Sequence, residues 1–170
     1  MGKLAQLAAI FAYSDWANER LFETALAVDD AALDTRIEMG RGSLRRTLMH
    51  IYVGERVWLA RMQGSAEQPW LNEAVNDGVA TIRDGWRETR DGRLAFVDGL
   101  TESRLADRLP YRDSKGGRFT ATLGEMLYQC ANHSVHHRAQ AVNMLRRVGA
   151  GLVEMDYMIW VRQPAEASSP

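Results

Sequence analysis

The chain has 170 residues, 46% hydrophobic and 25% charged, with a formal net charge of −1. That length and composition suit one globular domain with one core, and 21 basic against 22 acidic side chains leave no electrostatic footprint for nucleic acid. The lone cysteine, Cys130, excludes an internal disulfide, and no apolar run approaches the roughly 18 residues of a membrane span, so the expected setting is the cytoplasm.

The opening segment, Met1 to Tyr13, is apolar, but Lys3 is its only basic residue and its pattern runs on into Ser14–Leu21. It therefore reads as the first turns of a helix and not as a signal peptide. Across residues 3–27, Leu4, Leu7, Ile10, Phe11, Tyr13, Trp16, Leu21 and Leu26 recur at helical spacing. Asp29 to Gly42 reads as a long connection. Ser43 is placed to cap a second helix that ends near Gly64, with Leu44, Leu48, Ile51, Val57, Trp58 and Leu59 on its buried face.

Pro69 marks Ala66–Leu71 as a loop. The pattern then predicts a third helix from about Val75 to Leu100. Gly78, Gly85 and Gly92 are spaced by seven along it, which puts them on one face and suits close packing against a neighbour. Leu109–Arg112 and Arg118–Thr120 flank the turn-rich Asp113-Ser114-Lys115-Gly116-Gly117, the pattern of a β-hairpin or extended flap. Thr122 with Glu125 three residues later forms a capping box for a fourth helix to Arg147, with Gly149 and Gly151 ending it. A short last helix is expected around Val153–Val161, and residues 164–170 read as a disordered tail. The expected architecture is all-α, with one domain over residues 1–163.

All four histidines lie on the second and fourth of these helices. His133 and His137 are spaced i, i+4, so both imidazoles reach one point beside the helix. If the second helix packs against the fourth, His50 completes a three-histidine site. Three imidazole nitrogens suit one divalent ion such as Zn, Ni, Fe, Mn or Co and leave positions open for water or substrate. The competing reading is a pair of surface or hydrogen-bonded core histidines. His136 sits about 60° from His133 and 100° from His137 around the helix, and is assigned to the surface or to a supporting role. Cys130 lies seven residues, roughly 10 Å, from His137 and reads as a small core residue. Gly54, one turn past His50, either leaves room for a ligand or permits close helix packing.

The motifs in order resemble a known family. Tyr13-Ser14-Asp15-Trp16-Ala17-Asn18-Glu19-Arg20-Leu21 resembles the first-helix signature of the DinB/YfiT-like superfamily, and Ser43–Ile51 with Glu55-Arg56-Val57-Trp58-Leu59 is similar to its second-helix motif. Asn132-His133-Ser134-Val135-His136-His137-Arg138-Ala139-Gln140 resembles its most diagnostic stretch, with Ala139 where the usual motif has glycine. The resemblance runs from about residue 4 to 160 and implies a four-helix bundle with an up-down-down-up connection. It also implies that His50, His133 and His137 hold one divalent metal ion (Ni, Zn, Mn or Fe) at one mouth of the bundle. It implies a homodimer, and a small-molecule substrate such as a low-molecular-weight thiol, with no nucleic acid and no membrane partner.

The first functional expectation is a metal-dependent enzyme, a transferase or hydrolase, that acidifies a thiol or water. Tyr13, Trp16 and Trp58 are candidates for its pocket wall, and Glu55 and Gln140 for orienting the imidazoles. Asp15, Arg20 and Arg138 stand between substrate binding and helix salt bridges. The alternatives are a non-catalytic metal-binding or stress-response protein with a structural or sensing site, and a helical interaction module.

Overall fold

The computed structural model describes residues 1–70, 72–73 and 77–162. Four main helices carry the fold: α1 (Lys3–Leu26), α3 (Leu44–Met62), α4 (Val79–Asp98) and α5 (Leu123–Arg147). Short elements join them. These are α2 (Asp30–Leu33), a 3₁₀ turn at Glu102–Ala106, the hairpin strands β1 (Arg108–Arg112) and β2 (Arg118–Thr122), and the terminal α6 (Tyr157–Val161).

Local chemistry sets the helix ends. Ser43 accepts from the Arg46 N–H to start α3, and Thr122 and Glu125 form the full capping box that starts α5. Gly149, at φ +79°, supplies the left-handed residue that ends α5. α1 has no side-chain cap of its own. The Glu102 carboxylate accepts from the Lys3 and Leu4 N–H groups at 2.7 and 3.1 Å instead, a cap supplied from across the fold.

The packing fixes the connection. Phe11 shares a cluster with Leu123 and Leu127, whereas Leu21 and Phe22 share one with Met144 and Leu145, so α1 and α5 run parallel. Leu48 packs at the far end of α5 and Met62 at its start, so α3 runs against α5. The ring contact of Phe22 with Trp86 and the ion pair of Asp15 with Arg93 set α4 against α1. Up, down, down, up is thus the order, and it is the connection between α3 and α4, two consecutive helices that point the same way, that must return along the bundle.

Three boundaries differ from the sequence reading. α4 starts at Val79, capped by Gly78, and the expected start at Val75 lies outside the described residues. Gly85 and Gly92 pack against Tyr52 and Leu59 of α3 as expected, but Gly78 faces open space. The connection at 29–42 contains a helical turn because the Asp29 side chain caps it, accepting from Ala31 N–H at 3.1 Å. α6 spans Tyr157–Val161 and omits Val153. The expected tail at 164–170 lies outside the described residues. Among the described residues no helix is long and apolar enough to cross a membrane.

Between the two apolar clusters lies a buried polar layer to which all four helices contribute. Asn18, Glu55, Arg93, Ser134 and Arg138 are each at most 3% exposed. Glu55 accepts from Asn18 and Ser134, Arg138 donates to Ser14 and Asn18, and Arg93 lies between Asp15 and Glu55.

Candidate metal centre

His50 sits on the buried side of α3, and His133 and His137 lie one turn apart on the face of α5 that packs against it. The condition set by the sequence, that the second helix packs on the fourth, is met. One nitrogen from each imidazole lies within 4.8 Å of the other two, and His133 Nε2 is 3.2 Å from His50 Nε2. The centre exists because α3 has no side chain at Gly54. A Cβ built there would come 2.7 Å from His133 Nδ1, so Gly54 makes room for the imidazole of His133, and its close-packing role and its site role are the same.

Two of the three outer nitrogens are held, and His133 Nδ1 is buried without a hydrogen-bond partner. His50 Nδ1 donates to Glu73 Oε1 at 2.6 Å, and His137 Nδ1 donates to Gln140 Oε1 at 2.8 Å. Each bond fixes the tautomer that leaves Nε2 as a lone pair aimed at the centre. Trp70 Nε1 also donates to Glu73, and Arg41 pairs with its other oxygen at 2.8 Å. Burial alone would raise the Glu73 pKa, but the hydrogen bonds from His50 and Trp70 and the charge of Arg41 hold it down to about 2.

The cluster disfavours protons. Burial, then the charges of its histidine neighbours, lower the pKa of His133 to about 3. Burial lowers His137 to about 4 against the opposing bond from Gln140. Neutral imidazoles are the form that binds a cation, and His133 and His137 carry no proton that must be displaced near pH 7. Nitrogen ligands lie about 2.0–2.1 Å from such an ion, so one tetrahedral ion reaches all three once the widest pair closes by roughly 1.4 Å. The donor set fits a divalent metal.

The other candidates sort clearly. His136 is exposed and stays out of the centre, but its Nε2 lies 3.1 Å from Gln140 Nε2, so it touches the group that orients His137. Gln140 orients an imidazole as expected. Glu55 does not, because it belongs to the ionic layer. Cys130 is 1% exposed, and burial pushes its thiol well above the ordinary range, as a core residue requires. Trp58 lines a cleft of about 590 Å³ that reaches His133. Tyr13 and Trp16 do not line it: Tyr13 packs on Tyr157 and Trp160 and donates to the Met155 carbonyl, and Trp16 lies under Arg20. Asp15 and Arg138 serve the buried layer, and Arg20 binds the Glu154 carbonyl. Sequence reasoning missed Glu73 and Trp70. They lie on the α3–α4 connection, where no periodicity marks a residue for a distant histidine.

The family described as "DinB family" matches residues 1–166 of this chain. No curated protein matches it. Among solved structures, a DinB-like protein from Bacillus cereus ATCC 10987 is 22% identical, with a TM-score of 0.59, over 81% of this chain and 89% of that one. A DinB family member from Shewanella denitrificans is 17% identical, with a TM-score of 0.56, over 98% of this chain and 93% of that one. Both likenesses are of fold.

Proposed function

This chain belongs to the DinB family, and from that membership and the donor set above we propose that it is a metal-dependent enzyme. It uses one divalent ion, of Ni, Zn, Mn or Fe, to activate a thiol or water against a small electrophilic substrate. A low-molecular-weight-thiol S-transferase is the form of this reading that the family resemblance favours. The observation that carries it is the convergence of three imidazoles, two of which, His50 and His137, have their outer nitrogens held by Glu73 and Gln140.

A bound divalent ion supplies Lewis acidity, which lowers the pKa of a thiol or water near neutrality. The chain supplies the rest. His50, His133 and His137 would hold the ion, three protein ligands leave at least one position for a reactant, and Glu73 and Gln140 keep the rings of His50 and His137 in the donating tautomer. The cleft walled by Trp58, Trp70 and Tyr111 opens on His133 and offers an apolar wall to the body of a substrate. The exposed Tyr128 and Val135, two turns apart on α5, and Ile10 on α1 support a homodimer as part of the proposal, readable by sedimentation.

Elemental analysis of tag-free protein tests the reading, beside His50→Ala, His133→Ala and His137→Ala. About one equivalent of metal in the parent, lost from all three variants, supports it. Thiol transfer by the loaded protein then separates enzyme from passive metal binder. A parent that takes up no ion after incubation with each of the four sinks it.

A further inference from the structure

The cleft beside the histidines has one buried cation with no acid to balance it. Arg61 is 3% exposed and lies two turns past Gly54 on α3, roughly 10 Å along the axis. Its guanidinium carbon is 4.9 Å from the Trp58 ring centroid and 5.5 Å from that of Tyr111. Its Nη2 donates to the Arg112 carbonyl at 2.5 Å, but its Nε has no hydrogen-bond partner. No carboxylate among the described residues forms an ion pair with it. Of the other buried arginines, Arg45 pairs with Asp30 and Asp34 and Arg93 with Asp15 and Glu55, while Arg138 forms no ion pair but donates to the Ser14 and Asn18 side chains.

Two acids share the cleft wall with Arg61, and both are engaged elsewhere. Asp113 accepts from the N–H groups of Lys115 and Gly117 at 2.9 and 2.8 Å, which closes the hairpin turn. Glu125 is committed to the α5 capping box. Burial lowers the pKa of Arg61 against the weaker pull of Tyr111 and Asp113, so its charge is costly in the fold as it stands. A planar guanidinium held between two aromatic rings presents a fixed fork of donors, which suits a carboxylate. A single cation beside two acids favours a monoanion over a dianionic phosphate.

We infer that Arg61 is an anion-binding residue, and that the substrate of the metal centre is a carboxylate on an apolar or aromatic body, with its reacting end at His133. The rise of about 10 Å along α3 from Gly54, which abuts the His133 ring, to Arg61 sets the scale of the substrate's length. The inference rests on the proposed function for its reacting end, but the Arg61 subsite stands or falls separately.

The test uses 4-phenylbutanoate and its neutral isostere 4-phenylbutanamide, titrated into metal-free and zinc-loaded protein and read by tryptophan fluorescence from Trp58 and Trp70. Metal-free wild type is expected to bind the acid about tenfold to a hundredfold more tightly than the amide, the worth of a charge-assisted hydrogen bond. Arg61→Gln should erase that preference and leave amide binding unchanged, and Arg61→Lys should keep part of it. Equal binding of acid and amide by metal-free wild type, or binding of neither, overturns the inference without recourse to any variant. An acid preference that appears only with zinc and survives Arg61→Gln also overturns it, and assigns the carboxylate to the metal. An Arg61-dependent preference in a protein that takes up no metal keeps the subsite and removes the metalloenzyme reading.

Discussion

The histidine cluster and the buried ionic layer are built from neighbouring residues of the same helices, yet they are finished in different ways. Ser134 follows His133 and Arg138 follows His137, and a rotation of about 100° per residue sends one member of each pair to the α3–α5 seam and the other to the bundle centre. His50 and Glu55 divide α3 in the same manner. In the layer, Asp15 and Glu55 are balanced by Arg93 and Arg138 within the chain. In the cluster, three imidazoles face one another, and only the outer nitrogens of His50 and His137 are satisfied, by Glu73 and Gln140. Folding completes the layer, whereas the cluster keeps three converging imidazoles that a cation would complete. Substitutions in the first should therefore cost stability, and substitutions in the second should cost metal.

The largest test of that division is Arg93→Met. It removes the cation from between Asp15 and Glu55 and leaves buried carboxylate charge unbalanced, at a cost of about 3–5 kcal/mol in urea unfolding. The fraction that remains folded should still bind metal. His133→Ala should do the reverse, abolishing metal uptake with a much smaller change in the stability of the metal-free protein. Comparable stability losses in the two variants would break the distinction.

Glu73→Gln comes next. The amide keeps an acceptor for Trp70 and for His50 Nδ1 but withdraws the charge that polarises the imidazole. Metal affinity should fall about 10–100-fold, as with other partners of metal-bound histidines. Thermal unfolding of the metal-free protein should move little. An unchanged affinity would mean that Glu73 only anchors the loop.

How far these regions are legible in sequence follows from the same comparison. The helices, the capping box at Thr122 and the i, i+4 histidines are local, so periodicity and spacing find them. His50 joins the centre only through the packing of α3 on α5, which spacing left conditional and which the family's motif order supplied. Glu73 could not be found that way, because its link to His50 spans 23 residues and ends on an irregular connection. Glu55, Asp15 and Arg138 were visible as polar residues within helical patterns, but a polar residue on a buried face looks alike whether it serves a site or a salt bridge. Tyr13 and Trp16 misled for a related reason. Their spacing is helical, but the chain beyond α5 folds back onto Tyr13 and Arg20 lies over Trp16, and nothing local announces the first of these.

Gly54→Ala sharpens the comparison from the packing side. The new methyl overlaps the His133 ring, which has to move away from His50 or push α3 from α5. Overpacking of this kind costs about 1–3 kcal/mol, and a displaced His133 also weakens metal binding. Both losses should appear together, by calorimetry and by metal titration. Alanine tolerated with full metal affinity would show that the ring does not depend on that gap.

The smallest effect, and the most discriminating, is the sign of the pH dependence of the metal-free protein. His133 and His137 fall from 6.5 to about 3 and about 4 on folding. Below pH 6.5 the unfolded chain takes up protons that the folded cluster refuses, so their contribution is complete above that pH and is lost as the pH falls through the two folded values. Asp15 goes the other way. Burial, aided by Glu55 and opposed by Arg93, raises it from 3.8 to about 7, so its contribution is complete below 3.8 and is lost as the pH rises towards 7. Each proton is worth at most about 1.4 kcal/mol per pH unit, and between pH 4 and 6.5 two histidines oppose one carboxyl, so the wild type should lose stability towards acid with a net slope of about one proton. Chemical unfolding at a series of pH values should show that His133→Ala with His137→Ala removes the acid loss and exposes a rise in stability as the pH falls. Asp15→Asn should steepen the acid loss. If both variants shift the profile in one direction, the two regions do not titrate independently, and the division between a self-balanced layer and a cation-requiring cluster fails.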